Sequence, residues 1–164
     1  MQGSDLIEAL QNSFSLHIRE IRPLGGGDIA KSYLLNTSKG PVFAKIMDAS
    51  KGLQMLQAER EGLQAISNTD TLMVPEVLGC DSTPAGSCLL LEYIPPGSGS
   101  RDSSKALGRG LARMHQASAT SFGWHRSNYI GSLPQENTAA LDWTAFYIQN
   151  RLVPQYELAR PSMN

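Results

Sequence analysis

From Val42 to Met47 the chain alternates: Val42, Ala44 and Ile46 fall on one side of an extended segment, and Phe43, Lys45 and Met47 on the other. The pattern predicts a strand in which Lys45 shares a face with two large apolar side chains. A lysine so placed must either snorkel to water or meet an anion. From Leu53 to Ile66 the period changes. Leu56, Leu63 and Ile66 recur at spacings of seven and three and predict an amphipathic helix. Glu59 lies inside that stripe, three after Leu56 and four before Leu63, whereas Glu61 has Gln57, Ala58, Gln64 and Ala65 as helical neighbours. A glutamate within an apolar stripe is costly unless paired, and Lys45 on the preceding strand is its natural partner.

The same reading extends along the chain. Ser4 caps a short helix carrying Leu6, Ile7 and Leu10, expected to cover one edge of a sheet. His17 to Leu24 and Lys31 to Leu35 read as strands either side of Gly25, Gly26 and Gly27. Val74 to Gly79 reads as a strand entered through Pro75, hence near a sheet edge. Cys88 to Ile94 is a continuous apolar run of the buried-strand type. It ends in Pro95-Pro96-Gly97-Ser98-Gly99-Ser100, the clearest linker in the sequence. A helix then starts at Asp102 or Ser103 with Leu107, Leu111, Met114 and Ala117 on its apolar face; His115, beside that face, is expected to be a hydrogen-bonded packing residue. A polar loop spans Phe122 to Thr138. The last helix runs from about Leu141, with Trp143, Phe146 and Tyr147 prominent, and Pro154 should end or kink it.

Composition narrows the partners. The 164 residues suffice for one domain with its own core, and a formal net charge of −1 with a pI near 6.3 gives no electrostatic case for nucleic acid or an anionic membrane. No apolar run approaches the roughly 20 residues that span a bilayer. Acids rather than bases follow Met1, which reads as cytoplasmic and not as a signal peptide. Cys80 and Cys88 flank the turn Thr83-Pro84-Ala85-Gly86, where they could face each other across a hairpin; in a cytosolic chain two reduced thiols are expected, and neither spacing suggests zinc.

Candidate chemistry centres on the three glycines and the Lys45–Glu59 pair. Glycines lacking Cβ atoms let backbone N–H groups lie close to phosphate oxygens, although a flexible hairpin turn explains such a cluster equally well. Gly25 to Ser32 also reads G-x-x-x-x-A-K-S, one residue short of a P-loop. A P-loop must open a helix, and Tyr33-Leu34-Leu35 followed by turn residues predicts a strand, so that reading is rejected. Strand, glycine turn, strand, turn, strand with an inward lysine, then helix with an inward glutamate is the order of a kinase-type clamp for a nucleoside triphosphate. In it, Glu59 holds Lys45 against the α- and β-phosphates of ATP. The backbone of Glu92, Tyr93 and Ile94 then serves as a hinge meeting adenine; an ordinary interdomain linker is the competing reading.

The chain resembles the fructosamine/ketosamine kinase family, a branch of the aminoglycoside-phosphotransferase-like kinases. The resemblance rests on Leu24-Gly-Gly-Gly-Asp-Ile, Val42-Phe-Ala-Lys, Glu59-Arg-Glu-Gly-Leu, Val74-Pro-Glu-Val, Leu91-Glu-Tyr and Leu107-Gly-Arg-Gly-Leu-Ala-Arg-Met-His. Most specific is Phe122-Gly-Trp-His-Arg-Ser-Asn-Tyr-Ile-Gly-Ser, followed by Asp142-Trp and Arg151-Leu. It implies an α+β fold: a protein-kinase-like N-lobe of a five-stranded antiparallel sheet plus the C-helix over residues 1–94, a hinge at 95–101, and a partial helical C-lobe over 102–164. It also implies ATP with Mg²⁺ and phosphorylation of the sugar part of ketosamines, which would serve deglycation. Two departures stand out. Ala30 and Lys31 replace polar residues that the family tends to carry. The family's catalytic loop, His-Gly-Asp-Leu-Trp-x-Gly-Asn, and a later metal-binding aspartate do not occur, so no catalytic residue and no metal ligand is assigned. Only Asp102 and Asp142 follow the linker, and neither is five residues before an asparagine.

Three readings follow. The first is the nucleotide-binding part of a ketosamine kinase, with a truncated C-lobe and negligible turnover by itself. The second is a non-catalytic half-kinase module that binds nucleotide or a partner, or self-associates, through the surface carrying Trp143, Phe146 and Tyr147. The third is an aminoglycoside-type small-molecule kinase.

Overall fold

The computed structural model describes residues 3–25 and 29–160, with the backbone alone of residues 49–51. Their elements are α1 (Gly3–Phe14), β1 (Ile18–Leu24), β2 (Lys31–Thr37), β3 (Gly40–Met47), α2 (Ala49–Ser67), β4 (Val77–Thr83), β5 (Gly86–Glu92) and α3 (Arg101–Met114). After these come β6 (Asn128–Ile130), β7 (Leu133–Gln135), α4 (Trp143–Tyr147), a π-helical turn (Ile148–Leu152) and α5 (Val153–Ala159). The chain divides after Gln116 into two compact units.

In the first unit five antiparallel strands run in the order β1-β2-β3-β5-β4. The alternation in β3 sorts its side chains as predicted. Val42, Ala44 and Ile46 pack with Leu35, Cys88 and Leu90 under Leu6 and Leu10 of α1. Phe43 and Met47 face the other way, with Leu89 and Leu91, under Leu56 and Leu63 of α2. β5 is therefore apolar on both faces, which explains why its sequence shows a continuous run rather than an alternation. Each such buried leucine contributes about 1.5–3 kcal/mol relative to an exposed one. β4 lies at the sheet edge, and Pro75 stays outside it.

Two expectations are corrected here. Ser4 lies inside α1 rather than capping it, and its hydroxyl donates to Asp5 Oδ1 at 3.3 Å. Nor does α1 cover an edge; its leucines lie on one face of the sheet. Gly79 is shaped by α1, because a Cβ there would come within 2.7 Å of the Phe14 ring.

The hairpins β2–β3 and β4–β5 close by the same device. Thr37 and Thr83 each donate a hydroxyl to the carbonyl three residues on, of Gly40 and Gly86, at 2.7 and 2.8 Å. Each threonine also accepts from the N–H two residues on, of Lys39 and Ala85, at 3.1 Å. The glycines have φ of +119° and +118°, a region that costs other L-residues energy. Cys80 and Cys88 do not face one another. In register Cys80 opposes Leu89 and Cys88 opposes Asp81, so the two thiols lie on opposite faces.

Ser100 caps α3 rather than Asp102 or Ser103. Its Oγ accepts from Ser103 N at 3.0 Å while Ser103 Oγ accepts from Ser100 N at 2.8 Å, a capping box. Gly110 seats the helix against the rest of its unit, since a Cβ there would lie 2.8 Å from the Thr71 carbonyl.

The second unit is built differently. What read as one polar loop contains the hairpin β6–β7 and a bridge between Phe122 and Ala140. Asp142 Oδ1 accepts from Ala145 N at 2.8 Å and starts α4. Pro154 does not end the helix: it has no N–H to bond the carbonyl four residues back, and a π turn precedes it before α5 continues to Ala159. That carbonyl, of Asn150, instead accepts from Arg151 Nη1 at 2.9 Å. Arg151 also donates to Glu136 O and to Asn137 Oδ1, both at 2.6 Å, and its guanidinium lies 4.8 Å from the Phe146 ring centroid. No helix among the described residues is long and apolar enough to cross a membrane.

Candidate functional site

Lys45 lies on β3 between Ser32 of β2 and Leu89 of β5, on the sheet face that α2 covers. Two turns of helix separate Leu56 from Leu63 on that face, and Glu59 falls between them. Its carboxylate accepts from Lys45 Nζ at both oxygens, 2.7 and 2.8 Å. The side chains are 28% and 36% exposed. A pair this open to water stabilises a fold by about 1 kcal/mol or less. Its consequence lies in orientation: an ammonium has three N–H donors, two of which are directed at Glu59, leaving one for another acceptor. Such a donor, fixed on a central strand and reachable from solvent, fits a phosphate oxygen.

The other expected residues divide. Gly25 follows the end of β1, and a Cβ built there meets no heavy atom within 4 Å, so packing against described residues does not call for glycine. Gly26 and Gly27 lie outside the described residues. Lys31 and Ser32 open a strand and not a helix, which disposes of the P-loop spelling.

Glu92 ends β5, paired with Val42. Its N–H donates to Glu76 O at 2.8 Å and its carboxylate accepts from Glu76 N at 3.2 Å, so its own amide is committed to the approach of β4. Tyr93 and Ile94 lie beyond the ladder, where the backbone leaves the sheet. The β3–β5 register places Glu92 three residues along from Leu89, the partner of Lys45, a separation of about 10 Å. The Glu76–Glu92 clasp was not anticipated; its signal is the glutamate in each of Val-Pro-Glu-Val and Leu-Glu-Tyr. Both residues line a cleft of about 310 Å³ with Leu63, Ser67 and Pro75.

The remaining candidates have structural roles. Asp142 caps α4, and Asp102 sits 3.8 Å from Lys105. His115 is the C-cap of α3 and is exposed, not packed as expected. Burial pushes the Cys88 thiol up to about 12, with the nearby Cys80 adding to the rise, and burial also raises Cys80 despite the opposing charge of Arg60. Neither is an activated nucleophile. Among the described residues no group of three or more His, Cys, Asp or Glu could hold a metal ion.

Comparisons with known proteins place the chain in a family. Residues 3–163 match the family described as fructosamine kinase. The chain is 41% identical over 146 residues to a chloroplastic protein-ribulosamine 3-kinase of Arabidopsis thaliana, covering 87% of this chain and 44% of the relative. It is 38% identical over 144 residues to a probable ketoamine kinase of Synechocystis, covering 87% of this chain and 48% of the relative. A crystal structure from Thermobifida fusca, designated a candidate fructosamine-3-kinase, superposes with a TM-score of 0.83 at 26% identity, over 98% of this chain and 56% of that one. The chain thus spans about half the length of the relatives it matches.

Proposed function

The chain belongs to the fructosamine kinase family, and from that premise we propose that it forms the nucleotide-holding part of an ATP-dependent kinase acting on the sugar of ketosamines. The ion pair of Lys45 with Glu59, at 2.7 and 2.8 Å, carries the proposal. In this reading Glu59 fixes the ammonium and Lys45 directs its remaining N–H at the α- and β-phosphates. The backbone of Gly25, Gly26 and Gly27 lies over the phosphates. The main chain at Glu92, Tyr93 and Ile94, about 10 Å along the paired strands, meets the base. Residues 95–101 are the hinge between a lobe ending at 94 and helices that begin a second lobe.

ATP supplies the phosphoryl group, and the residues described here contribute position and charge to its transfer. None of them is assigned as the base that takes the proton from the sugar hydroxyl. The described residues likewise offer no ligand cluster for the Mg²⁺ that accompanies ATP in this reading. The named relatives support a ketosamine as acceptor, with the amine borne by a protein. The two free thiols are consistent with a reducing, cytoplasmic location.

Thermal denaturation with and without MgATP tests the proposal. The wild-type chain is expected to gain stability with ATP, and Lys45→Met to lose most of that gain while melting within a few degrees of wild type without nucleotide. An identical ATP response in the two proteins would rule out the clamp.

One observation favours a second reading, a binding module without turnover. Trp143 and Tyr147 are 53% and 42% exposed and their rings lie 5.5 Å apart, an apolar surface suited to association, whereas Phe146, expected on that surface, is buried. A clean monomer by gel filtration, with no response to ATP, would argue against it.

A further inference from the structure

Basic residues recur at every fourth position of α3: Arg101, Lys105, Arg109 and Arg113. At 3.6 residues per turn each step of four rotates by about 40°, so the four form one stripe along the helix. With Asp102, α3 carries +3 (four bases less one acid) in a chain of net charge −1, so the other residues sum to −4. The helix thus carries a net positive charge, while the ten basic residues elsewhere are outweighed by fourteen acidic ones. Arg113 is partly engaged, donating to Thr71 O at 3.4 Å. Lys105 meets Asp102 at 3.8 Å with both side chains mostly in water, a pair readily exchanged for another. Arg101 and Arg109 are exposed, with no carboxylate partner among the described residues. The helix is held to its unit through Gly110, at Thr71 and Leu72, which leaves the stripe facing outward.

We propose that Arg101, Lys105 and Arg109 dock an acidic segment of the protein that bears the ketosamine; naming that carrier rests on the kinase reading above. Spacing favours an extended acidic peptide. The bases advance about 6 Å per step along the helix, and carboxylates on alternate residues of an extended chain are spaced by about 6.6 Å. A bilayer fits less well. It would have to take Leu107 and Leu111 as its contacts, and Leu107 lies about 160° around the helix from Lys105, turning that charge away from the lipid. Nucleic acid fits less well still, because the surplus of −4 over the rest of the chain repels a dense polyanion.

The test uses the full 164-residue chain and a fluorescent peptide of alternating glutamate and serine, with glutamine replacing glutamate as control, read by anisotropy at low and physiological salt. The glutamate peptide should bind more tightly than the control and weaken with salt. The triple variant Arg101→Glu, Lys105→Glu, Arg109→Glu should lose about tenfold or more in affinity. Should that variant fail to fold by circular dichroism, Lys105→Gln with Arg109→Gln replaces it, with a loss of about threefold expected. Equal binding of the two peptides, indifference to the substitutions, or tighter binding to phosphatidylserine vesicles or duplex DNA would each overturn the proposal. MgATP stabilisation is measured in the same samples. No peptide binding with the ATP response intact removes the docking surface alone. Peptide binding with no ATP response removes the kinase reading and leaves the stripe as a site for acidic protein segments.

Discussion

In residues 3–116 a backbone ladder is sealed on both faces by leucines, and thirteen of the fourteen apolar side chains buried among the described residues belong to it. In residues 117–160 the one such side chain is Phe146, and order comes from side chains that bond backbone: Arg151 to Glu136 and Asn150, Asn150 to Thr138 and Phe146, Asn137 to Arg126. An apolar core tolerates volume-conserving repacking. A polar hub is cooperative, and the loss of one member leaves its partners unsatisfied. The first unit should therefore fail gradually under substitution, and the second at a few points.

The largest effect that would sharpen this contrast is Leu90→Ala. Leu90 is at the centre of the α1-side core, and its truncation should cost about 2–5 kcal/mol. Urea denaturation followed by the exchange of β3 and β5 amides reads this directly. A loss under about 1 kcal/mol would mean that the core collapses to fill the gap.

Next comes Arg151→Met, which keeps the aliphatic stem but strands Asn137 Oδ1, a group on a buried residue. A cost of about 1–3 kcal/mol is expected, confined to hydrogen exchange in residues 117–160. Loss of protection in β3 or β5 as well would break the distinction between the two units.

A third effect is silent at neutral pH and develops only in alkali. The buried Cys88 thiol keeps its proton in the folded state to about pH 12, against an ordinary 9.0. Between these values the unfolded chain has released a proton that the folded one retains, so stability falls as pH rises through this window and is unaffected below it. Cys88→Ala should show a shallower decline in urea midpoint from pH 9 to 12 than wild type, and an unchanged slope would contradict the burial. The smallest effect belongs to Glu20→Ala. Glu20 accepts from Arg22 and Asn36, which lower its pKa, yet its side chain is 47% exposed. No measurable shift in melting temperature is expected.

The same contrast sets what could be read from the residues alone. β3 was legible because one of its faces is fully buried and the other only partly, and α2 because a single stripe meets the core, so period and misfit were both visible: Glu59 stood out as a charge inside an apolar stripe. β5 was legible as a run because both its faces are covered. The opposing faces of Cys80 and Cys88 were not legible, since a one-residue offset in hairpin register inverts the side chain. Nor were β6 and β7, three residues each and too short for any period. Arg151, Asn137 and Asn150 lie far apart in sequence and carry no pattern, and their meeting is a product of the fold.

Gly52 has a mechanical consequence. A Cβ there would lie 2.7 Å from Met47 Cβ and 3.1 Å from Ser87 Cβ, so the first turn of α2 rests directly on the ends of β3 and β5. This contact acts as a fulcrum. Glu59 lies seven residues beyond it, about 10 Å along the helix axis, and a tilt of roughly 10° would swing its carboxylate by nearly 2 Å, enough to open a hydrogen bond of ordinary length. The helix would thus work as a lever, with Glu59 near its middle turning a small rotation into a broken ion pair. A bulkier residue at the fulcrum, Gly52→Val, would wedge the lever open without touching either charge.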